Sequence, residues 1–207
     1  MKTIAVVAQK GGAGKTTLAL NLACAAEAIG QSAAVVDLDP QQSAQSWYDL
    51  REQDSPTVVS AQPKRLKAIL DAAAQDNIDT VILDTAPAAE TSALEASRCA
   101  DLVIIPCRPG VLDLRAIATT VDTAKLAKTV SVGVINAAPA QGSLGDEAAA
   151  AIEAYGVQVS PDRIGHRAAF VHATTASQSV VEWEPNGKAA NEVRNLYKWI
   201  CNHDSMI

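Results

Sequence analysis

The sequence predicts an α/β fold: one domain with a doubly wound, mostly parallel β-sheet flanked by helices. Short apolar runs alternate along the chain with longer segments of helical spacing, as βαβ units require. The runs are apolar throughout, which suits strands covered on both faces. The 207 residues are 48% hydrophobic but only 3% aromatic, enough for one such domain with a core of Ala, Val, Leu and Ile.

Ile4 to Ala8 reads as the first buried strand. Lys15 to Ile29 has helical spacing and stops at Gly30, a residue type that ends helices. Ala33 to Leu38 is the second strand. Helical segments follow over Gln41 to Arg51 and, after Pro63, over Lys64 to Ala74. Thr80 to Leu83 is the third strand, ending at Asp84, with Leu102 to Pro106 the fourth and Val130 to Ile135 the fifth. Helices over Ala88 to Ala100, Leu112 to Ala127 and Leu144 to Tyr155 fall between or after them. Val157 to Val159 reads as a short last strand and Asn186 to Ile200 as an amphipathic helix. Ligands of such sheets bind beyond the carboxyl ends of the strands. Chemistry is therefore expected just after Ala8, Leu38, Leu83, Pro106 and Ile135.

The formal net charge of -6 excludes a surface that is basic all over, though not a local basic patch. Cys24, Cys99, Cys107 and Cys201 form no CxxC pair and are too few for a disulfide framework. They read as small buried residues of a reducing compartment. No apolar run approaches the length of a membrane span, and a strand follows Met1-Lys2-Thr3 at once, so no signal peptide is expected and the location is cytoplasmic. The three histidines are scattered and carry no metal or catalytic role. Trp47, Trp183 and Trp199 read as core or interface residues.

Residues 10–17 read Lys-Gly-Gly-Ala-Gly-Lys-Thr-Thr, between a strand and a helix. That is the context a phosphate-binding loop needs. Around Gly11, Gly12, Ala13 and Gly14 the missing side chains let backbone N–H groups face phosphate oxygens, and the helix start adds its positive end. Lys15 reaches the β- and γ-phosphates, the Thr16 hydroxyl ligates Mg²⁺, and Thr17 completes the turn. The usual first glycine of the motif is replaced by Gln9, and a second lysine, Lys10, follows.

Asp37 and Asp39 lie two apart at the end of the second strand, so they face the same side, toward the phosphates. Mg²⁺ takes carboxylates through its waters, and a hydrolytic water needs an acceptor to orient it. An Asp here also suits a cap for the helix read from Gln41. Thr80-Val81-Ile82-Leu83-Asp84 is an apolar strand ending in a carboxylate, the Walker B pattern that holds Mg²⁺.

Lys10 together with Lys15 makes this loop a deviant Walker A motif, and the chain resembles the ParA/MinD family of ATPases. It is most similar to the short ParA-type (ParF-like) partition ATPases, which lack an N-terminal DNA-binding domain. The matching blocks run from Met1 to Glu192. The resemblance implies ATP and Mg²⁺ as ligands and an ATP-bound homodimer in which Lys10 crosses to the partner's nucleotide. By the same resemblance Asp39 positions the attacking water, Asp37 supports the Mg²⁺ shell, and Thr85-Ala86-Pro87 is the γ-phosphate switch, with Ala86 where many relatives have proline. Pro106 would lie near the base or the dimer contact, and Asn136 would read adenine. Arg163, Arg167, Lys188, Arg194 and Lys198 correspond to a region that binds DNA non-specifically. The implied function is segregation or positioning of a plasmid, chromosome or other cargo on the nucleoid. A ParB-type or cargo-adaptor protein would be the partner, and no membrane is involved. Two other readings are a MinD-like membrane-cycling regulator and an ATP-dependent biosynthetic enzyme of the cobyrinate diamide synthase or dethiobiotin synthase kind.

Overall fold

The computed structural model describes residues 1–203. In chain order the elements are β1 (Lys2–Val6), α1 (Lys15–Glu27), β2 (Ala33–Asp37), α2 (Ser43–Asp49), β3 (Thr57–Ser60), a 3₁₀ turn (Pro63–Arg65), α3 (Leu66–Gln75), β4 (Thr80–Asp84) and α4 (Glu90–Cys99). There follow β5 (Leu102–Cys107), α5 (Val111–Ala127), β6 (Ser131–Ile135), α6 (Leu144–Glu153), β7 (Gln158–Val159), α7 (Ala168–Thr175), α8 (Val180–Trp183) and α9 (Lys188–His203).

The seven strands pair in the order β3-β2-β4-β1-β5-β6-β7, every pair parallel. Alternate residues of each strand feed opposite faces. Ile4, Val6, Val35, Ile82 and Ile104 enter a core shared with α1, α8 and α9. Ala5, Val36, Leu83, Val103 and Ile105 enter a second core beneath α3, α4, α5 and α6. Burying one such Ile or Leu completely stabilises the fold by roughly 2 kcal/mol. The central pair β1–β4 is closed on both faces and holds its register, Val6 beside Asp84, rigidly.

Three elements escaped the sequence reading. Strand β3 is an edge strand with one buried residue, Val58, so it carries no apolar run. Helices α7 and α8 are short, and α7 buries only Ala173. Trp183 is 47% exposed and stacks on His172, so it lies outside the core, whereas Trp47 is buried. The four cysteines are free.

One buried cation ties α2 to α8. The Arg51 side chain has 0% exposure and pairs with Glu182 at 2.7 Å. It also donates to the carbonyls of Ser55 and Ser177 and stacks on Trp47 at 4.2 Å. Glu182 in turn closes the capping box at Ser179. The helix after β2 is thereby fixed to α8.

Candidate functional site

The expected strand ends converge on the turn between β1 and α1. Gly12 and Gly14 adopt φ of 76° and 90°, the left-handed region that glycine enters without strain. At Gly14 space is also decisive, because a Cβ there would lie 2.2 Å from Asn136 Nδ2. Helix α1 begins directly after Gly14 with no side-chain cap and no acid in its first turn. Its first N–H groups thus lack the partners a helix start normally finds, which makes the turn a receptor for an anion.

Around that receptor lie the charges. Lys15 is buried, and burial lowers its pKa while Asp84 and then Asp39 act to raise it. Asp84 has 0% exposure, and among the described residues neither of its oxygens accepts a hydrogen bond of good geometry, though the Thr16 hydroxyl lies close by. Burial pushes its carboxyl up to about 7, with the Thr16 hydroxyl opposing. An orphan carboxylate beside a phosphate turn fits a divalent cation. Among the described residues no three His, Cys, Asp or Glu side chains converge on a metal-sized point. Asp84 and Thr16 therefore suit Mg²⁺, which takes few protein ligands and keeps phosphate and water in its other positions.

The Asp84 environment has a measurable consequence. In the unfolded chain this carboxyl ionises near 3.8, whereas in the folded chain it keeps its proton to about 7. Between those values the folded state binds the extra proton, so stability falls as pH rises from about 4 to about 7, by about 4 kcal/mol in all. Asp84→Asn preserves the shape and removes the titration. Urea unfolding of the nucleotide-free chain is expected to show a flatter profile for the variant across that window and a more stable variant at pH 8.

Asp37 is held by the backbone around it. Its Oδ1 accepts the Asp39 amide at 3.0 Å, and its Oδ2 accepts those of Ala44 and Gln45 at 3.0 and 3.1 Å. It anchors the β2–α2 turn and the start of α2, and it lies beside Asp84 in the register of β2 and β4. Asp39 lies on the turn so held, half-buried, with Oδ1 on the Gln41 amide and near enough to Lys15 and Asp84 to act on both.

The switch segment is fastened at two points to the strand side of the phosphate turn. Thr85 Oγ1 donates to the Val6 carbonyl at 2.9 Å, and the Ala88 amide donates to the Gln9 carbonyl at 3.1 Å. Ala88 holds φ at 52°, a conformation that costs a residue with a Cβ about 1 kcal/mol. Lys10 lies outside the turn and pairs with Asp113 at 2.6 Å.

A cleft of ≈ 420 Å³ opens beside Gly14 and Thr17, walled by Arg108, Asn136, Arg167 and Phe170. Its size and its contact with the phosphate turn suit a nucleoside. Asn136 braces the turn as well as lining the cleft: Nδ2 donates to the Ala13 carbonyl at 2.7 Å and Oδ1 accepts the Ala137 amide at 2.9 Å. Pro106 does not line this cleft. It faces the opposite side of the turn, in a small hollow with Gln9, Lys10 and Asp113. Neighbouring Arg108 takes the cleft position. Sequence reasoning missed Arg108, Phe170 and Asp113; an acid in the first turn of the helix after Gly110 was the one visible signal among them.

The five basic residues toward the carboxyl end separate into two groups. Arg163 pairs with Asp146, and Arg167 pairs with Glu192, its Nε lying 3.0 Å from Oε2. Arg194 donates to the Pro185 carbonyl at 2.5 Å. Lys188 and Lys198 are exposed on α9 in one stripe with Asn191, Asn195 and Asn202. Glu192, on the same helix, is taken by Arg167 and the Gly165 amide, and Glu184 shares a hollow with Lys188.

Residues 4–180 match the family model described as the CobQ/CobB/MinD/ParA nucleotide binding domain. The chain belongs to this family. As a CobQ/CobB/MinD/ParA protein it is 31% identical over 212 residues to the maintenance of carboxysome distribution protein A of Gloeobacter kilaueensis, covering 97% of this chain and 92% of the relative. It is 28% identical over 152 residues to the chromosome-partitioning ATPase Soj of Thermus thermophilus, covering 59% and 61%. The septum site-determining protein MinD of Pyrococcus horikoshii, solved with Mg-ADP, superposes with a TM-score of 0.79 at 17% identity over 99% of this chain and 98% of that one. These place the chain among nucleotide-binding proteins with a P-loop NTPase fold. Among the described residues no helix is long and apolar enough to cross a membrane.

Proposed function

We propose that the chain is an ATP-hydrolysing positioning protein that dimerises on Mg-ATP, binds DNA without sequence preference in that state, and distributes a cargo through a partner protein. The observation that supports this best is the division of labour between two lysines of one turn. Lys15 is buried and faces Asp84 and Asp39, whereas the Lys10 side chain is 38% exposed and points away from its own phosphate site. A cation so placed serves a nucleotide other than its own. The similarity to a carboxysome distribution protein and to a partitioning ATPase favours the positioning reading over biosynthesis.

In this mechanism the amides of Gly11 to Thr17 and the Lys15 ammonium hold the β- and γ-phosphate oxygens, and the walls of the cleft hold the adenosine. Bound Mg²⁺, on Thr16 and Asp84, supplies positive charge to the phosphate oxygens. Asp39 accepts a hydrogen bond from a water and aims it at the γ-phosphorus. The P–O bond to the β-phosphate breaks, giving ADP and phosphate. Thr85 and Ala88 report the γ-phosphate because the segment they anchor rests on Val6 and Gln9. The exposed α9 stripe, with Arg163 and Arg167 beside it, meets DNA phosphates once two copies double the contact.

Asp39→Ala is expected to bind Mg-ATP, remain dimeric, and lose most of its turnover, roughly 100-fold or more for a positioned proton acceptor. Phosphate release and sedimentation on the same sample check both halves. Turnover at the native rate removes Asp39 from the chemistry.

A further inference from the structure

Asp39 is joined to α2 by a strained link. Gln42, which precedes the helix, adopts φ of 52°, a left-handed backbone that persists in a residue with a Cβ only where the surroundings impose it. On the strand side Asp37 imposes it, through the Asp39 and Ala44 amides. On the other side stands α2, a helix of seven residues that buries only Ala44 and Trp47. So short a helix does not hold a direction by itself. Its far end is held by Arg51. Nη1 donates to the Ser177 carbonyl at 2.9 Å and to Glu182 Oε2 at 3.2 Å. Nη2 donates to the Ser55 carbonyl and to Glu182 Oε1, each at 2.7 Å. The flat face of the guanidinium lies on Trp47.

The segments that Arg51 grips also bear on the nucleoside cleft. Ser177 lies two residues past α7, which contributes Phe170, Thr174 and Thr175 to the cleft wall. Asn21, one turn beyond Thr17 in α1, donates to the Thr17 carbonyl at 2.7 Å and accepts the Val180 amide at 2.9 Å. The phosphate helix, the cleft wall and the helix after Asp39 therefore meet in one buried polar cluster.

We infer that Arg51 is a positioning residue for hydrolysis: it fixes α2 against α7 and α8 and so sets the direction in which Asp39 presents its carboxylate to the attacking water. The inference rests on the reading of Asp39 as the acceptor for that water. Arg51 does not line the cleft itself, so its effect falls on turnover and not on nucleotide affinity.

Arg51→Lys keeps the charge beside Glu182 but cannot form the fork. The variant is expected to hydrolyse Mg-ATP roughly 10- to 100-fold more slowly, the effect of a reacting group displaced by about 1 Å, while the Kd for Mg-ATP stays within about twofold. Glu182→Gln, which puts an amide N–H in place of one accepting oxygen, should act in the same direction if the lysine variant does not melt cooperatively. A double-mutant cycle with Asp39→Ala separates aim from general damage. In single-turnover assays Arg51→Lys should slow the native chain but add nothing to Asp39→Ala, because no acceptor is left to aim. An equal loss in both backgrounds overturns the inference. So does native turnover in a folded variant, or a fall in affinity as large as the fall in turnover. Asp39→Ala alone tests the underlying reading: if it hydrolyses at the native rate, Asp39 has no hydrolytic role, whatever Arg51→Lys shows.

Discussion

Lys15→Gln is expected to abolish nucleotide binding, weakening it by more than roughly 100-fold in titrations with Mg-ATP or Mg-ADP. Lys15 is buried in the site and burial lowers its pKa, so a bound anion supplies the stabilisation of its charge that water does not. Glutamine fits the same space and keeps a donor but removes the charge. Charge-assisted bonds to phosphate are about twice as strong as neutral ones. The loss of one at each of two phosphate oxygens reaches roughly 3 kcal/mol, which is about 100-fold. The apo protein has a second response: Lys15 lowers the pKa of Asp84, so without it the carboxyl should hold its proton to higher pH. A thermal scan gives a direct check. Mg-ATP should raise the melting temperature of the native chain and leave the variant unchanged.

Gly14→Ala is expected to damage fold and site together. The residue needs φ of 90°, and its Cβ would lie 2.2 Å from Asn136 Nδ2. The left-handed backbone costs about 1–2 kcal/mol, and displacing Asn136 forfeits its bond to the Ala13 carbonyl, about 1 kcal/mol more. The sum of about 3 kcal/mol lowers the melting temperature by roughly 6–12 °C in a chain of this size. Nucleotide affinity should fall with it, since the amides of the turn lose their common direction. Gly12→Ala is the control, because φ is 76° there but nothing lies within 4 Å of the added methyl. It should cost only the backbone part, about 1–2 kcal/mol. Equal losses from the two variants mean that the Asn136 brace contributes nothing.

The phosphate turn, its strand and its helix were legible because each is local. Glycine spacing, an apolar run and a run of helical spacing lie side by side in residues 1–30. Asp84 was legible for the same reason. Asp37 and Asp39 show where local reading stops. Two carboxylates two apart look equivalent in sequence, and only the return of α2 over the strand end shows that Ala44 and Gln45 take one of them. Of the nucleoside cleft's walls only Asn136 was legible, because Arg108, Asn136 and Phe170 come from three separate parts of the chain. Pro106 and Arg108, two apart in one segment, end on different sides of the turn, and a strand's last residues can take either side until the following helix is placed. Arg163 and Arg167 read as free cations in sequence, whereas their partners Asp146 and Glu192 lie 17 and 25 residues away.

The central claim, a DNA-binding state that only ATP creates, is tested most directly by co-sedimentation of the full chain with a long duplex of arbitrary sequence. The samples contain Mg²⁺ with ATP, with ADP or with neither, each repeated at rising salt. The account predicts binding with ATP alone, falling steeply as salt displaces the lysines of α9 from phosphate. Binding that is equal in all three samples, or absent with ATP at low salt, contradicts it.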